Sequence, residues 1–317
     1  MQIGSIVDIV NGELKNSPLI SYVTDIKINP HKIKQGDLFL VQNPQEIEIA
    51  IQQGAFAILY DNQDINPSDL EIAWIYVEDI HYAMIRLMRY ILSLHKLEIY
   101  LCDTITQNLI KTFATDFEHP IILLKNNMYE NIIALNQIEE FSLVFANNEQ
   151  FLSKISPNYQ EFNKSDYSIS NQTIHSAFET TFSYNNHYIS KLKLPAIYIK
   201  QFLDIYTYLH TNIEISKLKA SPLCKPIFIN QKCQIIEFGK SEKFILAIKE
   251  QSIAQKQIEF FKSIYKYSIV EVINQEDNEM ILQTIKNKRF NILIVLGRSY
   301  DQMIQIISEP KKEHTLF

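Results

Sequence analysis

Residues 99–114 read IYLCDTITQNLIKTFA: an apolar strand over 99–102, a polar turn, and then Lys111-Thr112 at the opening of a helix over 109–114. A strand, a turn and a Lys-Thr pair at a helix start form the skeleton of a nucleotide-phosphate site. Such a cradle turns several backbone N–H groups onto one anion, and glycine supplies the uncrowded or left-handed backbone this requires. The stretch contains no glycine; Gln107 and Ile110 occupy the positions where the cradle needs it. The pattern predicts an α/β unit here and leaves open whether the turn still takes a nucleotide.

The same alternation extends in both directions. Residues 98–220 continue with strands at 121–124 and 141–146 around a helix at 129–135, a βαβ series that predicts a parallel sheet. A hairpin over 180–194, turning at Asn185-Asn186, and a helix over 197–209 complete this segment. Residues 1–97 form a smaller α/β unit with short strands at 38–41, 55–60 and 73–77. After them Ile80, Ala83, Met84, Leu87, Met88, Ile91 and Leu92 recur at helical spacing, with Asp79 placed to cap.

Residues 221–317 open at Pro222 and Pro226 and carry a predicted hairpin of 233–238 and 244–248 around Gly239. Helix and strand then alternate to a strand at 292–296 and a helix at 302–307, ahead of a polar tail over 309–317 that is expected to fray. The fold class is therefore α/β: three consecutive units, 1–97, 98–220 and 221–317, with mostly parallel sheets.

Composition narrows the function classes. The chain has 317 residues, 46% hydrophobic and 21% charged, as in an ordinary globular protein. A net charge of −6 argues against a nucleic-acid partner, which normally requires a basic face. No apolar run reaches the ~18 residues of a membrane span. The N-terminus MQIGSIVDIV lacks a basic segment and a cleavage site, so a cytoplasmic location is expected. Cys102, Cys224 and Cys233 lack metal-ligand spacing, as do the eight histidines, so no metal site is expected and the thiols read as reduced and structural. Heavy use of Ile, Lys and Asn, with arginine only at 86, 89, 289 and 298, points to an AT-rich genome, which by itself depletes glycine. The carboxylate pairs Glu139-Glu140 and Glu276-Asp277 adjoin predicted element ends and read as capping or solvated charge.

Several segments in chain order carry a likeness to a known family. In 1–97 these are Thr24-Asp25-Ile26-Lys27, then Gly36-Asp37-Leu38-Phe39-Leu40 and Gln53-Gly54-Ala55. They resemble the "DSR … pGDlFvA … GA" run of the uridine-nucleotide-binding domain of the Mur ligases, the enzymes of peptidoglycan precursor synthesis. The closest likeness is to the branch that adds the third residue or the terminal D-Ala-D-Ala dipeptide. Residues 106–112 fall on the family loop TGTNGKT. There the lysine of an active member neutralises β/γ-phosphate charge and the threonine hydroxyl ligates Mg²⁺.

The departures form a pattern. Lys27 stands where the family has arginine, and the loop after the strand shortens to 42–46. Both loop glycines are lost while Lys111 and Thr112 remain. In Asn127–Asn131 one asparagine of the family pair is replaced, and Val144-Phe145-Ala146-Asn147 carries no magnesium-binding glutamate. Residues 151–167 leave no room for the family's modified lysine and its histidine, so the central domain is shortened. Residues 247–256 lack the Asp, Tyr and Asn of the third domain.

The resemblance thus implies a degenerate bacterial Mur-ligase homologue acting by binding, with no catalytic residues and no cofactor. Thr106, Lys111 and Thr112 are then the vestige of a nucleotide loop, and Thr24, Asp25 and Lys27 the candidate substrate-binding residues. The implied partners are a UDP-muramyl-peptide or other cell-wall synthesis proteins. Two alternatives stay open: an active ATP- and Mg-dependent ligase using Lys111 and Thr112, and an interaction protein of the cell-wall machinery with no nucleotide ligand.

Overall fold

The computed structural model describes residues 1–221, 223, 225–249, 251–274 and 277–308. Pro222, Cys224, Glu276 of the Glu276-Asp277 pair and the tail from 309 lie outside the described residues. The chain divides into two compact units, Met1–Asp103 with Phe117–Phe162, and Thr104–Asp116 with the chain from Asn163 onward.

The first unit runs α1 (Ile3–Val10), β1 (Glu13–Leu14), β2 (Ile26–Lys27), β3 (Leu38–Leu40), α2 (Ile47–Gln52), β4 (Ala57–Tyr60), β5 (Ala73–Tyr76), α3 (Ile80–Ser93) and β6 (Glu98–Leu101). Helix α4 (Thr104–Thr112) follows and belongs to the second unit. The first unit resumes with β7 (Ile121–Leu123), α5 (Met128–Leu135), β8 (Leu143–Ala146), α6 (Glu149–Ile155) and β9 (Gln160–Glu161). Its strands form two sheets, ordered β1-β5-β4-β3-β2 and β7-β8-β6-β9. All their pairings are parallel except that of β1 with β5.

Strict alternation explains why β3, β4 and β5 read as unbroken apolar runs. Leu38, Leu40, Leu59 and Ile75 face one core, shared with α1, α3 and the second sheet. Phe39, Ile58, Tyr60 and Trp74 face another. A parallel sheet covered on both faces has no solvent side to mark with polar residues. Helix α3 buries the predicted stripe, and Asp79 caps it by accepting from the N–H groups of His81 and Tyr82.

The second unit continues from α4 with β10 (Ile169–Ser176), β11 (Glu179–Tyr184), β12 (His187–Leu192), α7 (Ile199–Tyr208), β13 (Ile227–Phe228), β14 (Phe244–Ile248), α8 (Gln251–Ile264), β15 (Val270–Asn274), α9 (Asn278–Asn287), β16 (Ile292–Leu296) and α10 (Tyr300–Ser308). Strands β10, β11 and β12 make an antiparallel meander, and the last sheet is ordered β13-β14-β16-β15. In that sheet β16 pairs in parallel with both β14 and β15, as the alternation of its elements requires. Asn185 and Asn186, at φ 44° and 65°, make the predicted turn between β11 and β12.

Three expectations are corrected. Residues 233–238 are not a strand: the antiparallel neighbour of β14 is β13, and Ile235 makes only an isolated bridge to Ile229. Strand β10 was not expected, because ISNQTIHS is largely exposed and shows no apolar alternation. The third correction, at α4, bears on function.

Candidate functional site

Helix α4 begins at Thr104, with only Cys102 and Asp103 between it and β6, so Lys111 and Thr112 close this helix rather than open one. The reason lies in the side chains of the segment, which contains no glycine. Ile105, Leu109, Ile110 and Phe113 lie along one apolar face, all of them buried, and nothing in the segment opposes a helix. Thr106 and Ile110 are buried, while Lys111 is exposed. The Thr112 hydroxyl donates to the carbonyl of Asn108 at 3.0 Å and lies 3.2 Å from Ser221 Oγ.

A phosphate cradle needs N–H groups converging from a non-helical loop, whereas backbone N–H groups inside a helix point along its axis to carbonyls. From Asn108 onward the N–H groups of this segment lie inside helix α4, in the register that bonds to carbonyls four residues back. Among the described residues, no group of three or more His, Cys, Asp and Glu side chains is placed to hold a metal ion. Cys102, at the strand–helix junction, is buried, and burial pushes its thiol up to about 12, which removes it as a nucleophile at neutral pH.

In the first unit the segments around Thr24, Gly36 and Gly54 lie against one another. Buried Asp37 accepts from the Thr24 hydroxyl at 2.8 Å and from the N–H of Lys34 at 2.9 Å. Gly36 sits at φ +102°, and a Cβ there would meet the Thr24 side chain at 3.1 Å. Its N–H donates to the carbonyl of Gly54, joining the two glycine-bearing motif segments. Thr24, Gly36, Asp37 and Gly54 are thus held by one another. Asp25 is likewise engaged: it accepts from its neighbour Ile26 N–H at 2.7 Å, from the Lys27 ammonium, and from the amide of Asn136 just beyond α5.

Lys27 also borders a cleft of about 880 Å³ between the segment after β2 and helix α5. His31, Lys32 and Lys34 line it from one side, and Glu130 and Gln137 from the other. Its charges are not balanced internally. Lys27 is paired with Asp25, and Glu130 lies 2.5 Å from Lys125 Nζ. His31, Lys32 and Lys34 make no ion pair among the described residues, which leaves the cleft electropositive within a chain of net charge −6. The run IKINPHKIK carried this signal as a local excess of cations, but only the facing helix turns the run into a cleft wall.

The structural asparagines and acids have plain roles. Asn127 caps α5, and buried Asn131 closes on both the N–H and the carbonyl of Lys125. Asp277 caps α9, and Glu140 accepts from the N–H of Lys96.

The chain matches no family model, and no curated protein matches it in sequence. Its fold is similar to that of UDP-N-acetylmuramoylalanyl-D-glutamyl-2,6-diaminopimelate–D-alanyl-D-alanyl ligase from Acinetobacter baumannii, with TM-score 0.56, 10% identity and 97% of each chain covered. It is similar to MurF from the same organism, with TM-score 0.58, 9% identity, and coverage of 96% of this chain and 87% of that one. A third likeness is to MurF ligase from Thermotoga maritima in complex with ADP, with TM-score 0.50, 11% identity, and coverage of 90% and 96%. At this identity the likeness establishes the fold alone, and the chain has a Mur-ligase-like α/β fold.

Proposed function

We propose that this protein is a catalytically degenerate Mur-ligase homologue, serving cell-wall precursor synthesis by binding rather than by ATP-dependent ligation. The observation that carries the proposal is the unbroken helix α4 through residues 104–112, whose apolar face is committed to the core. Ligation through an acyl phosphate relies on positioning and on charge stabilisation by metal, lysine and backbone dipoles. This segment offers Lys111 alone of those groups. The basic cleft of the first unit is the proposed seat of an anionic precursor such as a UDP-muramyl-peptide. Its diphosphate would face Lys32 and Lys34, exposed cations worth up to about 1 kcal/mol each and weakened by salt, with the His31 ring beside them.

Calorimetric titration tests both halves. ATP–Mg²⁺ should show no binding, and micromolar affinity would overturn the degenerate reading. A UDP-muramyl-peptide should bind, and Lys32→Glu with Lys34→Glu should weaken it by about tenfold or more; unchanged affinity would remove the cleft from the proposal. The active-ligase alternative draws support from the names of two of the similar structures, both called ligases and one of them in complex with ADP. It requires phosphate release with a precursor and an amino acid or dipeptide, lost in Lys111→Ala.

A further inference from the structure

The second unit holds a cavity of about 380 Å³, within the range of small-ligand sites, that no sequence motif anticipated. Its walls are aromatic. Phe178 and Phe228 are buried, and Phe238 packs edge-on against both at centroid distances of 6.4 and 5.0 Å. Yet Phe238 itself remains 57% exposed, on a segment that belongs to no strand. A large ring left open to water beside an aromatic wall is a surface that gains by being covered.

The charged side chains that line the cavity are of one sign. Lys193, Lys219 and Lys225 line it, and among the described residues no carboxylate does. Lys193 is already neutralised by Glu179. Lys225 holds its ammonium 4.3 Å from the centroid of the Tyr300 ring, a cation–π contact that fixes the charge without cancelling it. Among the described residues neither Lys219 nor Lys225 makes an ion pair.

These two features select the ligand together. A neutral apolar molecule would cover the rings but further desolvate two unpaired ammonium groups, which is unfavourable. An inorganic anion would satisfy the lysines and leave the rings wet, and a cation would be repelled. We propose that this cavity binds a small ring-bearing organic anion, its flat apolar body against Phe178, Phe228 and Phe238 and its carboxylate or phosphate at Lys219 and Lys225. The site is separate from the basic cleft of the first unit and does not depend on the reading of that cleft.

The full chain can be titrated with 8-anilinonaphthalene-1-sulfonate and with its uncharged counterpart N-phenyl-1-naphthylamine, read by fluorescence and calorimetry. The expected result is one saturable sulfonate site per chain, bound about tenfold or more tighter than the uncharged probe. Lys219→Met with Lys225→Met should remove that advantage while leaving the uncharged probe within about twofold. The Lys→Arg pair should retain it, which guards against a misfolded Met variant. Equal affinity for the two probes, no saturable binding, or undiminished sulfonate binding by a Met variant with native circular dichroism would overturn the proposal.

Discussion

The turn at residues 34–37 and the helix at 104–112 both align with a family motif, and they have kept different parts of it. At the turn, Gly36 and Asp37 persist because the backbone itself uses them: φ +102° excludes a side chain, and the Asp37 carboxylate is anchored by Thr24 and Lys34. At the helix there is no glycine, and Ile110 is part of the core. At the turn the glycine and the acid each have a backbone or hydrogen-bonding role, and at the helix the side chains of the corresponding segment pack into the core. The resemblance in the first unit therefore rests on residues that hold the fold, and under the proposed function its departure in α4 is a departure in chemistry.

The most severe way to break this contrast is to restore the glycines. Gln107→Gly with Ile110→Gly should cost about 5 kcal/mol in urea unfolding, from two helical glycines and a core cavity, without conferring ATP binding. Recovery of nucleotide affinity in that variant would mean the helix is a reversible plug over a working loop. Asp37→Ala should follow at roughly 3 kcal/mol, because it leaves a hydroxyl and an N–H without their buried acceptor. Gly36→Ala should cost about 1–2 kcal/mol through left-handed strain and the close Thr24 side chain. Lys111→Ala, at an exposed helical position, should change stability by less than about 0.5 kcal/mol. A larger loss would give Lys111 a structural partner that the helix surface does not supply.

The junction between β6 and α4 offers a pH test of the same contrast. The folded Cys102 thiol stays protonated up to about 12, against an ordinary value of 9.0. The unfolded chain therefore ionises first, and the stability this thiol contributes is intact below about pH 9 and lost as pH rises toward 12. At pH 8, half-exposed Cys233 should react with a thiol reagent well before Cys102, as peptide mapping would reveal. Fast labelling of Cys102 would indicate that the junction opens.

Much of the fold was legible along the chain. The apolar runs of β3, β4, β5 and β16, the stripe of α3 with its Asp79 cap, and the Asn185-Asn186 turn are local patterns with local causes. Strand β10 was not legible, since its polar residues carry no alternation, and its place comes from hydrogen bonding to β11. The predicted strand over 233–238 failed for the converse reason: the edge it would occupy is taken by β13.

For the site, the division is sharper. Sequence alone shows that residues 106–112 hold no glycine and that Thr24, Asp25 and Lys27 stand in the order the Mur-ligase resemblance implies, because composition at a position requires no geometry. Only the tertiary structure decided that 104–112 is one helix, since its start is set by burial of Ile105, Leu109 and Ile110. Only the tertiary structure gathered Lys27, His31, Lys32 and Lys34 against α5, and Phe178, Phe228 and Phe238 around two lysines. Those groups are brought together by packing between segments, a long-range effect that no local pattern in the chain encodes.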